Sequence, residues 1–295
     1  MRKYQYIVIA VFCILSISGF SQDLLEMLEQ EASKDAKPDY TTATFKSTRL
    51  INGHTIENVA AGVLDFRISH RFGYLNTGIK EFYGLDQATI RLGLDYGLTN
   101  WWMVGIGRSS FQKQLDGFTK FKLLRQANGH FPVTVSWVST IMYKTAPFND
   151  PLRINYNTSR LYYSNQLLVG RKFSESVSLQ LIPTHIHYNL AETPNTNNEV
   201  FAMGIGGRVK LSKRVSLNAE YYYQLPTYQL EGTHNSLAIG FDIETGGHVF
   251  QLHFTNSTGM TERTFISETT GDFFQGDIHF GFNISRVFTI KDPRK

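Results

Sequence analysis

Cysteine is almost missing from this chain: one residue, Cys13, in 295. Domains stapled by disulfides carry cysteines in pairs, so stability comes from elsewhere, and a thiolate zinc site is excluded as well. Long apolar runs are missing beyond the first stretch of the chain. That excludes a multi-pass helical protein, in which each span needs about 20 apolar residues. An excess of one charge is missing too. Lys and Arg number 29 against 25 Asp and Glu, a formal net charge of +4; without Arg2 and Lys3 the balance is 27 against 25, or +2. So even a balance argues against a nucleic-acid partner. Gly204-Ile205-Gly206-Gly207 sits inside a strand pattern with no helix after it, so it is no dinucleotide loop. With no phosphate loop or zinc pattern, no cofactor is expected.

What is present begins with Met1-Arg2-Lys3, an apolar run from Tyr6 to Ile17, and Ser18-Gly19-Phe20-Ser21. A charged start, a short apolar stretch and small residues before a cut define a secretory leader, and residues 1–21 are read as a cleaved signal peptide. Cys13 lies inside the apolar run behind bulky Phe12, the wrong place for lipidation. Residues 22–37 (QDLLEMLEQEASKDAK) offer Leu24, Leu25, Met27 and Leu28 for one face of a short acidic helix, stopped by Pro38. The other reading of this stretch is a mobile polar extension. Residues 22–60 together are expected to form a periplasmic N-terminal extension, a place for a periplasmic protein to bind.

From residue 63 the periodicity is two. In residues 88–98, Ala88, Ile90, Leu92, Leu94, Tyr96 and Leu98 alternate with Thr89, Arg91, Gly93, Asp95 and Gly97. Successive side chains of a strand point to opposite faces, so one face is apolar and the other polar or bare. Similar segments recur to residue 288, about twelve of about ten residues each, the length that crosses a bilayer as a tilted strand. The fold class predicted is therefore all-β: an antiparallel transmembrane β-barrel of about 12 strands over residues 61–289, with a tail at 290–295. Connections support it. Those at 98–100, 173–176, 212–214 and 246–247 are tight, whereas those at 73–87, 144–158, 189–199, 226–234 and 258–275 are long. Short periplasmic turns and long outer loops have that rhythm, which puts residues 258–275 outside. Lipid offers the backbone no hydrogen-bond partner, so such a sheet must close on itself. The last strand carries Ile278, Phe280, Phe282, Ile284 and Phe288 on one face. Alternate aromatics in a closing strand resemble the signal read by the barrel-assembly machinery, which with outer-membrane lipid is an expected partner.

The stretches 62–73 (GVLDFRISHRFG), 88–96 (ATIRLGLDY), 103–110 (MVGIGRSS), 241–259 (FDIETGGHVFQLHFTNSTG) and 277–288 (DIHFGFNISRVF) resemble an uncharacterised family of bacterial outer-membrane β-barrel proteins, a domain of unknown function. The resemblance runs from about residue 45 to 288. It implies the barrel and the bacterial outer membrane, and it brings no activity.

Strand parity turns a set of charged residues and histidines toward the lumen: Asp65, Arg67, Arg71, Arg91, Asp95, Lys120, Lys122, Arg160, Arg208, Lys210, Glu220, Asp242, Glu244, His253, Asp277 and His279. A barrel of about twelve strands lies between those filled by side chains and those with an open channel. The mixed charges can therefore pair across the lumen and close it, or line a narrow wet path. His253 and His279, with Asp277 nearby, and the His185-x-His187 pair are candidate metal ligands by residue type; lumen histidines held by hydrogen bonds are the simpler reading, and no metal is expected. His234-Asn235-Ser236 has the residue types of a lipid-acting enzyme, but Ser236 points inward by parity, away from a lipid substrate, so no catalytic residue is expected. The function expected is a narrow channel or transport-associated barrel. The alternatives are a closed structural or partner-docking barrel, and then a lipid-acting enzyme.

Overall fold

A computed structural model describes residues 38–147, 156–191 and 196–291. The leader at 1–21 and the helix expected at 22–37 lie outside the described residues, as do residues 292–295 of the tail.

Twelve strands form one closed antiparallel barrel: β1 (Val63–Tyr74), β2 (Ala88–Gly97), β3 (Trp102–Ser109), β4 (Gln114–Leu124), β5 (Thr134–Lys144), β6 (Leu161–Lys172), β7 (Val177–Tyr188), β8 (Glu199–Lys210), β9 (Val215–Gln224), β10 (Ser236–Thr245), β11 (His248–Thr255) and β12 (His279–Thr289). Each strand pairs with its neighbours in sequence, and β12 returns to β1 in a register running from Val63 opposite Thr289 to Arg71 opposite Gly281. The ring has no open edge, the condition a sheet must meet in lipid. Parity is as expected on β2: Leu92 and Leu94 face outward, 43% and 40% exposed, while Arg91 and Asp95 are buried inside. Outward Trp101, Trp102 and Phe121 stack at the short-turn end, 5.5 to 6.2 Å apart, as interfacial aromatics do.

The alternation is hardest to follow at β4, which begins at Gln114 rather than near residue 118. Leu115 faces outward but Phe118 faces in, so the apolar residues change face within the strand. Phe118 points inward because it has a partner there, the His54 ring at 4.6 Å, edge on.

That partner belongs to the largest departure from the expected organisation. Residues 40–60, read from sequence as part of a periplasmic extension, run inside the barrel. The segment enters at the short-turn end, where the Thr41 amide donates to the Gln126 carbonyl at 2.9 Å. It turns back at residues 50–53, with Arg49 bridged to His54 and the Leu50 amide bonded to the Gly53 carbonyl at 2.8 Å. It then returns to begin β1. Its apolar residues Phe45, Leu50, Ile56 and Val59 pack with inward Met103, Val138, Met142, Leu168, Ile182 and Tyr222 in one continuous core. Gly97 shows how tightly the return is fitted: a Cβ there would lie 2.1 Å from the Ala60 carbonyl oxygen.

The β11–β12 connection, expected outside, also folds inward. The short π-helix Arg263–Ser267 is entirely buried, and Phe265 and Ile266 join the same core. The reason is chemical. Glu262 is 1% exposed and finds its cation, Arg49, on the segment inserted from the opposite end.

Candidate functional site in the lumen

The two inserted segments meet through Arg49. Its guanidinium donates to Glu262 Oε1 at 2.7 Å and to the Asn52 carbonyl at 3.1 Å, and it lies 5.5 Å from the centre of the Phe118 ring. His54 Nε2 is 3.4 Å from the same carboxylate oxygen. Buried charges persist only when paired and hydrogen-bonded, and the Arg49–Glu262 pair is.

Several wall residues serve the inserted segment directly. Glu220 on β9 accepts from the backbone amides of Asn52 at 2.7 Å, Gly53 at 3.1 Å and Ile51 at 3.3 Å, so one carboxylate holds the tip of the turn. Arg71 donates to the Asn52 side chain at 2.7 Å and to Asn283 at 3.1 Å. Lys120 donates to the carbonyls of Thr55, at 3.1 Å, and Glu57. Arg208 donates to the carbonyls of Ala43 and Thr44, both at 3.1 Å. Gln251 bridges the Leu50 carbonyl at 2.6 Å and Asp242 at 2.8 Å. A segment without sheet partners must satisfy its peptide groups somewhere, and here the inward charges do it. Hydrogen bonds to charged groups are worth about 1.5–3 kcal/mol each.

Other expected lumen residues divide in three. Asp65 and Arg67 pair with each other at 3.2 Å, with Thr48 3.1 Å from the guanidinium. Arg91 pairs with Asp116, not with Asp95 two turns of the pleat away; its Nε donates to Asp116 Oδ1 at 3.0 Å, and it lies across Gly107, where a Cβ would sit 2.3 Å from it. Asp95 instead lies 3.4 Å from the Thr48 hydroxyl. At the short-turn rim, Lys122 faces Glu57 at 3.6 Å, Glu244 pairs with Lys46, and Lys210 ends β8 half-buried. Two residues do not line the lumen. Arg160 lies in the turn Asn157–Arg160 and donates to the carbonyls of Lys144 and Ala146 at 3.0 and 2.6 Å; Asp277 precedes β12 and accepts from Asn76 at 2.7 Å. Both lie beyond the ends of their strands, where strand parity no longer holds.

His253 and His279 are both buried, but they do not converge on Asp277. His279 Nδ1 donates to the Phe72 carbonyl at 2.7 Å, and its Nε2 meets the Thr258 hydroxyl at 2.9 Å. His185 and His187 share Glu199 on the outer wall, His187 at 2.6 Å. Among the described residues no group of three or more His, Cys, Asp or Glu is placed to hold a metal ion. Ser236 is inward and 1% exposed, as parity required.

What the sequence reading missed is the inserted set: Arg49, His54, Glu262, Arg263 and Glu268. One signal was available. Asn52-Gly53 between Leu50-Ile51 and Ile56 is a hairpin cue, the dipeptide that favours a tight turn between apolar flanks.

Among Arg49, Ile51, Asn52, Arg67, Ser69, Arg71, Arg91 and Met260 lies a cavity of about 10 Å³, no more than one water occupies. A closed ring of twelve strands, apolar outside and filled by its own chain inside, defines a membrane β-barrel with an internal plug. The family follows from the sequence comparison: residues 45–288 match the family described as "Membrane bound beta barrel domain (DUF5777)", and the chain belongs to it. No curated protein matches the chain. Among solved structures it is similar to a NanC porin (9% identity, 77% of this chain and 98% of that one, TM-score 0.49). It is also similar to the COG4313 outer membrane channel of Pseudomonas putida F1 (12%, 79% and 98%, 0.45) and to the outer membrane protein Omp33 of Acinetobacter baumannii (9%, 76% and 97%, 0.41).

Proposed function

We propose that this protein is a bacterial outer-membrane β-barrel that stands closed, without enzymatic activity, and that acts through the surfaces it presents at its two ends. The observation that carries this reading is the contact of Arg49 with Glu262, which joins a segment inserted from one end to a loop inserted from the other. The apolar half of the lumen supports it as well: Val138, Met142, Leu168, Ile182 and Ile186 are fully buried against the plug, a wall suited to packing and not to a wet path. Conduction would require residues 40–60 to leave. The outer membrane is supported by the leader, by the all-strand closed ring and by short connections at one end and long ones at the other. The long-connection end is then the outside, and residues 22–37 offer a periplasmic partner its first contact.

The test is purification of the mature chain from outer-membrane fractions, as a band that migrates faster unheated than boiled, followed by planar-bilayer recording. The reading expects no steady conductance. A stable open level in the wild type would replace it with the narrow-channel reading, and recovery of the protein in the soluble periplasm would remove both.

A further inference from the structure

The outer face of a membrane barrel is expected to be apolar inside its strands, and on β10 the outward residues run Leu237, Ile239, Phe241 and Ile243. From β4 to β7 that pattern breaks. Thr119, Ser139, Asn165 and His185 lie on four adjacent strands, each opposite the next in the ladder, and all four point outward. The centre of the row is not at a rim. Along β5, Ser139 sits between outward Trp137 and Ile141; along β6, Asn165 sits between outward Tyr163 and Leu167. Side chains that form hydrogen bonds therefore face hydrocarbon, where lipid tails give them no partner.

The two ends of the row are satisfied within the chain. Thr119 accepts from Trp102 Nε1 at 2.9 Å, and His185 pairs with Glu199, which also holds His187 at 2.6 Å. The centre is satisfied only in part. Ser139 Oγ donates to Asn165 Oδ1 at 3.0 Å, and the amide hydrogens of Asn165 find no acceptor among the described residues. Polar side chains inside a membrane commonly bond across to another transmembrane element.

The wall beside Asn165 is shaped for close approach. Pro183 on β7 has no N–H to give, and the β6–β7 ladder lapses between Gln166 opposite Thr184 and Val169 opposite Leu181. Next to Asn165 lies a groove of about 620 Å³, bordered by Trp137, Leu167, Pro183, Phe201 and Met203. A carboxamide is short, so two barrel walls must come close before it reaches a partner. A groove that takes in the neighbour's outward side chains permits that.

Symmetry identifies the occupant. A lipid tail brings no acceptor for Asn165. A second copy of this chain, related by a two-fold axis along the membrane normal, places every residue at the depth of its own image. At such an axis Asn165 meets Asn165, and a carboxamide, donor at nitrogen and acceptor at oxygen, is complementary to itself. We infer that two copies of this chain pair in the membrane through β5–β7, with Asn165 at the two-fold axis.

The full mature barrel is purified in a zwitterionic detergent, and its mass is followed by sedimentation over a range of protein-to-detergent ratios. It should be a dimer that dissociates as detergent is added. Asn165→Leu suits a lipid-facing site, so the heat-modifiable band should persist while the dimer weakens about tenfold. In native membranes Leu167→Cys, which keeps Asn165, should be joined by a bifunctional maleimide into a product of twice the mass. Leu252→Cys, outward on β11 and five strands away, should not. A monomer at every ratio with no product from Leu167→Cys would overturn the pairing, as would a dimer indifferent to Asn165→Leu or equal cross-linking from Leu252→Cys. So would a Leu167→Cys product of another mass without the doubled one, or a monomer that retains anionic lipid and loses it on Asn165→Leu. The pairing rests on the membrane barrel and not on a closed lumen, and no readout involves conductance, so it fails separately from the closed-barrel reading.

Discussion

Replacing Glu262 by Ala removes the group on which both inserted segments converge. In the wild type Arg49 is 5% exposed and Glu262 1%, so neither can turn to water when its partner is lost. Breaking a buried ion pair by deleting one member costs about 3–5 kcal/mol, because the survivor stays buried without its counter-charge. Arg49 keeps the Asn52 carbonyl at 3.1 Å and the Phe118 ring, which places the cost at the lower end, about 3 kcal/mol. With a urea slope of about 3 kcal/mol per molar, the midpoint should fall by about 1 M. The assay is urea unfolding of the barrel in micelles, read as loss of the fast-migrating unheated band. Glu262→Gln keeps an acceptor for Arg49 and should fall between wild type and Ala. The paired change Arg49→Leu with Glu262→Leu removes both charges and should recover much of the loss, since apolar replacement of a buried pair is often neutral. A Glu262→Ala protein that unfolds at the wild-type midpoint would refute the reasoning, because it would mean that the carboxylate is not buried against Arg49.

Three further outcomes are expected. Gly97→Ala forces a Cβ to 2.1 Å from the Ala60 carbonyl and should destabilise the barrel by ~1–3 kcal/mol, whereas Gly117→Ala, whose nearest neighbours would be 3.8 Å away, should not; the same urea assay compares them. Leu92→Arg places a cation on the lipid face at a cost of ~2–4 kcal/mol and should reduce the assembled band, while Ile79→Arg, 80% exposed on a connection, should not. Because the only native cysteine is Cys13, introduced cysteines report cleanly: Phe274→Cys, 86% exposed, should react with a membrane-impermeant maleimide on intact cells, and Glu262→Cys should not until the protein is unfolded.

The barrel was legible in the sequence because lipid enforces a period of two along every spanning strand. Leu92 and Leu94 against Arg91 and Asp95 show it, and so do Phe280, Phe282 and Ile284 against Gly281, Asn283 and Ser285 on β12. Inward charge was legible for the same reason, since Arg71, Lys120, Arg208 and Glu220 all face inside. What they hold was not. Parity assigns a face and says nothing about partners. The partners lie far away in the chain: Glu220 grips amides 167 to 169 residues earlier. The plug itself was hidden by its composition. A segment whose backbone is satisfied by side chains needs no regular period, so residues 41–59 lack the period of two that starts at residue 63, and only Asn52-Gly53 marks the turn. Residues 258–271 misled in the opposite sense. Their Thr, Glu, Arg and Ser content looks like a solvated loop, but the same groups pave a polar interior when Arg49 of the plug meets Glu262, Glu268 meets Arg263, and Gln114 and Tyr188 of the wall meet Thr261 and Ser267.

Hydrogen–deuterium exchange of the refolded full barrel tests most directly whether the lumen is filled by its own chain. Amides buried in cooperative structure open only with the whole, while those of free loops exchange at once. Peptides covering residues 47–57 should be protected to the same degree as those of β9, whose Glu220 holds their amides. Exchange of residues 47–57 at the rate of the exposed connection at 75–84, with β9 still protected, would contradict the account.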